Sequence, residues 1–357
     1  MTEGTRTTDE SFEPIQVTGV ELDAWAVDPG GPVGLYVRQR LLPIQGQGGV
    51  IFPPTYADIG YNIDVLSDGT EVATMDSVGS QANRMEPIFA REPYSKLVPQ
   101  IEITYGDGKS TSILHVGHRL ADAVIRCSTL KDRAQAAFRL YLDKGDASEI
   151  ARIAPTSLVF GVWDSRDTMA RLPRIVQSVI RAWDVKTLTR SATYNPALDY
   201  TALGVFSEDD KQKAEGNQKS PLAQRGFVHV PSTARGGVLA RGPIEREVIL
   251  NLVALRRLRV GERGEDLARY ILGLSLIAAS AAPETFLRQG CLLVPEGDAT
   301  LAWTLVERGG QRRLVDLPEG IVMEYATTAA ARFGVGESET VIFREDLAQA
   351  DVKKGGK

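Results

Sequence analysis

The sequence predicts an α+β protein, on three observations. Short runs rich in Val, Ile and Tyr are separated by Asp-Gly and Gly-Asp-Gly turns, which is typical of β-hairpins. Two longer segments repeat apolar residues at the helical period of 3.6. The 357 residues are 43% apolar and 24% charged, a composition typical of a soluble chain that buries a core. This length fits about two ordinary domains.

The first elements form a strand, a hairpin and a helix. Residues 34–44 alternate well enough for a strand, and 61–75 predict a hairpin about Asp68-Gly69. A helix is predicted over 77–86, capped by Asp76 or Ser77 and ended by Pro87. Its apolar side is opposite a donor-rich side, so this helix is a candidate for holding a polar ligand.

The rest of the chain predicts further elements around one long irregular stretch. Residues 187–237 lose the core pattern, which predicts a projecting insertion with a mobile middle at 208–220. The other predictions are a hairpin over 100–117, helices over 118–142 and 265–281, a buried central strand in SLVFGVWDS (157–165), and strands over 173–185, 290–295 and 300–307.

The charge is distributed unevenly along the chain. Residues 1–114 contain 7 basic and 16 acidic side chains, a balance of −9. Residues 115–260 contain 23 basic and 15 acidic side chains, a balance of +8. A basic middle in a chain of net charge −5 indicates either a localised anion-binding surface or helices with solvated, charged faces.

Several classes of protein lack support in the sequence. There is no Walker phosphate loop, nucleophile elbow, His-Glu-x-x-His or Cys-x-x-Cys motif. The two cysteines are far apart in apolar surroundings, which fits a reducing compartment, and no apolar run is long enough to span a membrane. We therefore expect a cytoplasmic protein.

The sequence contains two candidate metal sites, and neither is favoured. His115 and His118 have a ligand-like spacing, but the third histidine, His229, lies in the irregular insertion. Asp164 and Asp167 can bind Mg²⁺ in principle, although neighbouring arginines favour ion pairs. We expect no metal and no cofactor.

The basic middle favours a polyanion ligand. Arginine outnumbers lysine there, and its planar fork suits phosphate contacts and base stacking. Aromatic residues that can stack on bases are interleaved with these arginines, although a tryptophan in a central strand, Trp163, is more often a core residue.

Five strings of residues carry a resemblance to a known family. They are DSVGSQANRMEP (76–87), GHRLADAVIRCS (117–128), APTSLVFGVWDSR (154–166), RSATYNPALDY (190–200) and LRQGCLLVP (287–295). In this order they resemble the backbone subunit of the type I-G (formerly I-U) CRISPR Cascade complex, within the repeat-associated mysterious protein superfamily. The resemblance runs from about residue 34 to about residue 295.

The resemblance implies a fold. It implies an RNA-recognition-motif or ferredoxin-like palm (β-α-β-β-α-β) with a helical insertion and a thumb-like projection. The implied segments are a flexible N-terminus (1–30), the first part of the palm (31–90), a helical or finger insertion (91–155), palm strands (156–186), the thumb (187–237), the second part of the palm (238–350) and a flexible tail (351–357).

The resemblance also implies a role and partners. Such subunits are non-catalytic, line up head to tail along CRISPR RNA, and present the guide for pairing with target DNA in antiviral defence. Further partners would be the large subunit, the subunit that caps or processes the RNA end, and the helicase-nuclease, with no membrane. The thumb residues Tyr194 and Phe227 would displace a base. The implied RNA-binding residues are Ser80, Gln81, Asn83, Arg84, His118, Arg119, Arg126, Arg166, Arg174, Arg181 and Arg190.

Two other functions stay open at this stage. One is a ribonuclease of the same superfamily that cuts guide precursor or target RNA, with His115 or His118 as general base or Asp76 positioning a metal. The other is a scaffold that contacts only proteins, which leaves the basic middle unexplained.

Overall fold

The fold is described from a computed structural model, which covers residues 14–282, 284–297, 301 and 303–354. The predicted α+β class is confirmed, with helices and mainly antiparallel strands mixed along the chain.

The helices and strands of the described residues are numbered in chain order. The helices are α1 (Gly19–Val27), α2 (Val78–Met85), α3 (Ala123–Arg126), α4 (Lys131–Lys144), α5 (Ser148–Ile153), α6 (Thr156–Val159), α7 (Glu208–Ala214), α8 (Pro221–Gln224), α9 (Leu252–Arg256), α10 (Gly264–Ser280), α11 (Glu319–Phe333) and α12 (Glu345–Lys354). The strands are β1 (Ile15–Gln16), β2 (Gly34–Pro43), β3 (Val50–Ile51), β4 (Thr55–Tyr56), β5 (Gly60–Tyr61), β6 (Ile63–Val65), β7 (Glu71–Asp76), β8 (Ile101–Tyr105), β9 (Lys109–Ser112), β10 (Val162–Trp163), β11 (Arg171–Leu172), β12 (Val176–Trp183), β13 (Val185–Tyr194), β14 (Val230–Ala240), β15 (Ile244–Asn251), β16 (Phe286–Arg288), β17 (Cys291–Pro295), β18 (Trp303–Val306), β19 (Arg312–Asp316) and β20 (Glu339–Ile342).

Four strands of the main sheet form the palm. Their spatial order is β17–β2–β15–β12, and each neighbouring pair is antiparallel. Along the chain the palm strands come in the order β2, β12, β15 and β17. The first of them therefore lies second in the sheet, the second lies fourth, the third lies third and the last lies first. With α2 between the first two and α10 between the last two, this is the ferredoxin-like β-α-β-β-α-β arrangement. Strand β7 adds to the edge beside β12.

Both palm helices lie on the same face of this sheet. Gln81 of α2 accepts a hydrogen bond from Ser178 of β12, and the carbonyl of Ala279 in α10 accepts one from Arg246 of β15. Strand residues that point to these helices, such as Val37 and Val248, are fully buried. The alternation along each strand therefore gives one core face, covered by helices, and one open face.

Helix α10 is buried almost all round, because α11 and α1 cover the side that the sheet does not. A Cβ at Gly273 would lie 2.7 Å from the Cα of Ala326, so glycine lets α10 and α11 cross at close range. This explains the long apolar run that the sequence shows there.

The segment between α2 and β12 forms an insertion with its own small sheet. The hairpin β8–β9 pairs with the C-terminal strand β20, which runs parallel to β8. Residues 339–342 therefore complete the insertion and not the palm, which corrects the assignment of 238–350 to the second part of the palm.

The thumb is a long antiparallel ribbon of β13 and β14, with Val185 opposite Ala240 and Tyr194 opposite Val230. The predicted projection over 187–237 agrees with this ribbon and with the excursion at its end. The excursion contains α7 over 208–214, in the stretch that was predicted to be mobile. No helix in the described part of the chain is long and apolar enough to cross a membrane.

Other predictions were wrong in specific places. The predicted central strand at 157–165 is helix α6 followed by the two-residue strand β10. The predicted helix over 118–142 is broken into a short 3-10 turn, α3 and α4. The predicted flexible ends contain helices: α1 buries Leu22 and Trp25, and α12 reaches residue 354, while 1–13 and 355–357 lie outside the described residues.

Candidate nucleic-acid interface

The first palm helix begins beside a buried carboxylate. Ser77, and not Asp76, is the N-cap, since its Oγ accepts a hydrogen bond from the amide of Ser80. Asp76, only 1% exposed, accepts hydrogen bonds from Gln81 Nε2 at 2.7 Å and from Arg84 Nε at 3.0 Å. Arg288 Nη2 approaches the other carboxylate oxygen at 3.4 Å. Asp76 is thus the centre of an internal network.

This network corrects part of the predicted RNA-binding set. Gln81 is 1% exposed and has no surface to offer a ligand. Arg84 also donates to the carbonyls of Phe286 and Leu287, so it ties α2 to β16. The side chain of Ser80 is half-buried and accepts a hydrogen bond from Ser77. On the predicted donor face of α2, Asn83 alone is exposed.

Arg119 joins three of the family-like strings. The side chain is 4% exposed, with its guanidinium over the Phe160 ring. Its Nε lies 2.7 Å from Glu86 Oε2, Nη1 donates to the carbonyl of Gly161, and Nη2 donates to Asn83 Oδ1. The predicted RNA contact is therefore wrong for Arg119 itself. Its role is to connect 77–86, 117–119 and 160–161.

Glu86 and Arg119 form a buried ion pair that does not fully compensate the cost of burying the Glu86 carboxylate. Glu86 Oε1 has no hydrogen-bond partner among the described residues. Burial raises the pKa of Glu86 from 4.5 to about 7, against the opposing effect of Arg119. Burial likewise lowers the pKa of Arg119.

Exposed polar groups surround this buried pair. A Cβ on Gly117 would lie 3.6 Å from Asn83 Nδ2, and a Cβ on Gly161 would lie 2.8 Å from Arg174 Cγ. Asn83, His118 and Arg174 are all exposed. We call Asn83, Gly117, His118, Gly161 and Arg174 the α2 surface. It brings together residues separated by up to 91 positions, since 174 − 83 = 91.

Gly161 is required at this surface by its conformation. Its φ is +80°, a region that favours glycine, and a side chain would also press on the backbone nitrogen of Arg174 at 3.1 Å.

The remaining predicted arginines divide into paired and exposed ones. Arg126 forms an ion pair with Asp351 at 2.9 Å, and Arg181 forms one with Glu247 at 2.9 Å. Arg166 is exposed and lines a groove beside α12, away from the thumb ribbon. Arg190 is exposed on β13. Ion pairing therefore uses Arg126 and Arg181, whereas Arg190 stays accessible.

The base of the thumb carries two stacked arginines, of which the sequence indicated only one. Arg190 lies 5.3 Å from the ring centroid of Phe52, and Arg235 lies 5.3 Å from that of Tyr61. A Cβ on Gly60 would overlap the Arg235 guanidinium, so glycine admits the arginine. Tyr61 and Arg235 are far apart in sequence, and no local pattern links them.

The two predicted thumb aromatics occupy different environments. Tyr194 is half-exposed at the end of β13, where it is available to a ligand. Phe227 packs edge-on against Tyr200 at 4.9 Å and against Phe206 at 6.4 Å. Phe227 therefore contributes to the internal packing of the thumb, and the prediction that it meets a base is not favoured by this environment.

Trp163 also differs from expectation. It is 53% exposed on β10, with the guanidinium of Arg171 at 5.5 Å from its ring. The core placement expected for this tryptophan is wrong, because the chain before it forms helix α6 and the hairpin β10–β11 carries Trp163 outward.

The candidate catalytic and metal-binding acids have structural partners. Asp164 accepts hydrogen bonds from the amide and hydroxyl of Thr168, and Asp167 accepts one from Gln135. His118 Nδ1 lies 3.4 Å from Asp122. No group of three or more potential metal ligands occurs within the described ranges.

The fold and the α2 surface together define a class: a palm-and-thumb α+β protein with an RNA-recognition-type sheet. Residues 35–187 match the model of a family described as CRISPR-associated protein GSU0053. The resemblance to a CRISPR-associated family is therefore confirmed over these residues, which contain the first two palm strands and the whole α2 surface.

Other comparisons add less. One solved structure, titled "CRISPR RNA-guided surveillance complex, pre-nicking", is similar with a TM-score of 0.37 and 11% identity. The alignment covers 91% of this chain and 99% of that chain. Comparison with curated proteins gives no significant match.

Proposed function

We propose that this protein is a non-catalytic, guide-RNA-binding backbone subunit of a type I Cascade complex, of the I-G subtype. In this role it acts in the cytoplasm, and copies assemble head to tail along CRISPR RNA and present the guide for pairing with target DNA. The match of residues 35–187 to a CRISPR-associated family supports the proposal.

The observation that carries the proposal is the convergence on Arg119. Three strings that are separated in sequence meet there, and three exposed residues adjoin the contacts of Arg119: Asn83, His118 and, beside Gly161, Arg174. An amide, an imidazole and a guanidinium suit phosphate and ribose 2′-hydroxyl groups. The buried Glu86–Arg119 pair holds this arrangement from below.

The thumb base supports the same ligand. Arg190 and Arg235 stack on aromatic rings, and no carboxylate in the described part of the chain forms an ion pair with either. Guanidinium groups held over aromatic rings can bind phosphates or stack on bases. Tyr194, further out on the same ribbon, is the candidate for displacing a base.

The head-to-tail assembly and the partners are part of the proposal. The acidic first third and the basic middle of the chain are complementary, which favours a heterologous contact between copies. The further partners would be the large subunit, the subunit at the RNA end and the helicase-nuclease.

Binding of labelled single-stranded RNA at several salt concentrations tests the proposal. Affinity should fall steeply with salt, and Arg174→Glu should reduce the slope of log affinity against log salt by about 0.7, the value of one phosphate contact. Arg91→Glu is the matched control, because Arg91 is exposed and has no ion-pair partner among the described residues. Salt-insensitive binding, or equal effects of both variants, would contradict the proposal.

A ribonuclease is the second candidate, favoured by the His118–Asp122 contact at 3.4 Å. An exposed histidine beside a carboxylate can act as a general base. We propose that His118 binds RNA and does not cut it. If purified protein cleaves guide precursor or target RNA, and His118→Ala abolishes the cleavage, the protein is an enzyme.

A further inference from the structure

The open face of the palm sheet carries a groove that none of the family-like strings reaches. Helices α2 and α10 cover one face of the sheet, whereas on the other face Ile249 is 45% exposed. The groove has a volume of about 630 Å³, which is large enough for a nucleotide. Its lining includes Tyr36, Ile249, Arg38, Arg257 and Arg312.

The strand register gives the floor of this groove. Tyr36 of β2 is directly opposite Ile249 of β15 on one side and Thr304 of β18 on the other. Leu314 and Gln177 extend the same row on the outer strands. Within this row Tyr36 and Ile249 line the groove, so its floor is an aromatic ring beside an aliphatic side chain.

The ring of Tyr36 is fixed by its hydroxyl. The hydroxyl donates to Glu247 Oε1 at 3.0 Å and accepts from Arg38 Nε at 2.8 Å. Arg38 and Arg181 both form ion pairs with Glu247, so these two arginines are neutralised within the protein. A ring held in this way can serve as a stacking platform at little entropic cost.

Two arginines at the other side of the floor are free of ion pairs. Arg312 begins β19 opposite Val306, and Arg257 follows α9. Both are exposed, neither has an ion-pair partner among the residues that the structure describes, and no carboxylate lines the groove. The groove thus combines an apolar, aromatic floor with unneutralised positive charge.

The groove is adjacent to the α2 surface. The backbone N–H of Asn251, which lines the groove, donates to the carbonyl of Ile175, the residue after Arg174. An RNA strand that is bound at Arg174 can therefore continue over this end of the sheet onto the open face.

We propose that this groove binds single-stranded RNA, with one base stacked on Tyr36 and the flanking phosphates on Arg257 and Arg312. This inference rests on the proposed RNA-binding function. It assigns to RNA a further contact area beyond the α2 surface and the thumb. Base stacking supplies sequence-independent affinity, and the two guanidinium groups supply the electrostatic part.

The test compares variants of the full-length chain on a labelled oligouridylate of about 20 nucleotides, longer than one single-strand binding site of ~4–16 nucleotides. Arg257→Glu/Arg312→Glu should weaken binding at least about tenfold and reduce the salt slope by about 1.4, the value of two phosphate contacts. Tyr36→Leu should weaken binding about tenfold with an unchanged slope, because stacking releases no counterions. The charge-matched control is Arg91→Glu/Lys109→Glu.

The choice of variants separates a failure of this inference from a failure of the proposed function. If Arg174→Glu weakens binding and the Arg257/Arg312 variant does not, the groove proposal is overturned and the proposed function stands. If wild-type protein binds no RNA, both fail. The groove proposal is overturned if the control variant weakens binding as much as the groove variant does. It is also overturned if the groove variant loses only self-association and keeps its RNA affinity.

A measurement on wild-type protein avoids variants that fail to fold. RNA containing 4-thiouridine, irradiated in the complex and mapped by mass spectrometry, should cross-link to the peptide containing Tyr36. Cross-links to the α2 surface without any to β2 would contradict the proposal.

Discussion

Replacing Asp76 with alanine should strongly destabilise the protein. The carboxylate is buried and contacts Gln81, Arg84 and Arg288, so its removal leaves two guanidinium groups without a counter-charge. Losing one partner of a buried ion pair costs about 3–5 kcal/mol, and we expect a loss in this range for Asp76→Ala. Asp76→Asn keeps an oxygen acceptor, and its loss should be smaller, about 1–3 kcal/mol.

Urea unfolding followed by circular dichroism measures both losses. Asp64→Ala is the matched control, because Asp64 is exposed on the edge strand β6, and it should change stability by less than about 0.5 kcal/mol. A loss below about 1 kcal/mol for Asp76→Ala would refute the view that this carboxylate holds α2 to the sheet. A stability that Mg²⁺ increases in wild-type protein and not in Asp76→Ala would instead favour a metal at Asp76.

Three further changes have expected outcomes. Because the pKa of folded Glu86 is raised to about 7 from 4.5, the folded state holds a proton there that the unfolded state has lost, so stability from this group is present below pH 4.5 and is lost as pH rises through 7. Between pH 4.5 and 7 the free energy of unfolding of wild-type protein, measured with urea, should fall by about 3 kcal/mol from this source. The free energy of unfolding of Glu86→Gln should fall less steeply with pH, because glutamine does not titrate. An equal dependence on pH in both proteins would contradict this role of Glu86. Gly161→Ala should cost about 1–3 kcal/mol in urea unfolding and lower RNA affinity, whereas Gly69→Ala, also at positive φ but with open space, should cost about 1 kcal/mol and leave RNA affinity unchanged. Phe227→Ala should expose the thumb excursion to limited proteolysis, while Tyr194→Ala should leave the cleavage pattern unchanged, and similar patterns for both would contradict the packing described.

Local patterns predicted the palm well. The strand over 34–44, the hairpin over 61–75, the helix over 77–86 and the helix over 265–281 occur within one or two residues of the predicted bounds. In each, the period of apolar residues and the turn or cap residues agree with the final packing, so the local signal suffices.

Predictions failed where packing overrides the local pattern. SLVF contains β-type residues, but Ser157–Val159 lie in helix α6 and Phe160 is its C-cap, because all four side chains are buried among the insertion helices and α10. The C-terminal strand β20 pairs with β8, more than 200 residues earlier, since 339 − 101 = 238, and no local pattern marks that pairing.

The candidate site was predicted at the level of segments and less well at the level of side chains. The strings containing Asn83 and His118 converge with the segment that follows a third string and contains Arg174, as expected from one functional surface. Sequence could not separate these exposed groups from Gln81 and Arg119, because burial depends on the tertiary partners Asp76 and Glu86. A donor-rich helix face gives the same pattern whether its donors serve the protein or a ligand.

The central claim is that RNA lies along the α2 surface and the thumb base, and arginine modification tests it directly. Phenylglyoxal labelling of the full-length protein, with and without bound RNA, reports the accessibility of each guanidinium by mass spectrometry. We predict that RNA protects Arg174 and Arg190, while exposed Arg91 stays reactive and buried Arg119 is unreactive in both states. Equal labelling of Arg174 and Arg190 with and without saturating RNA would contradict the account.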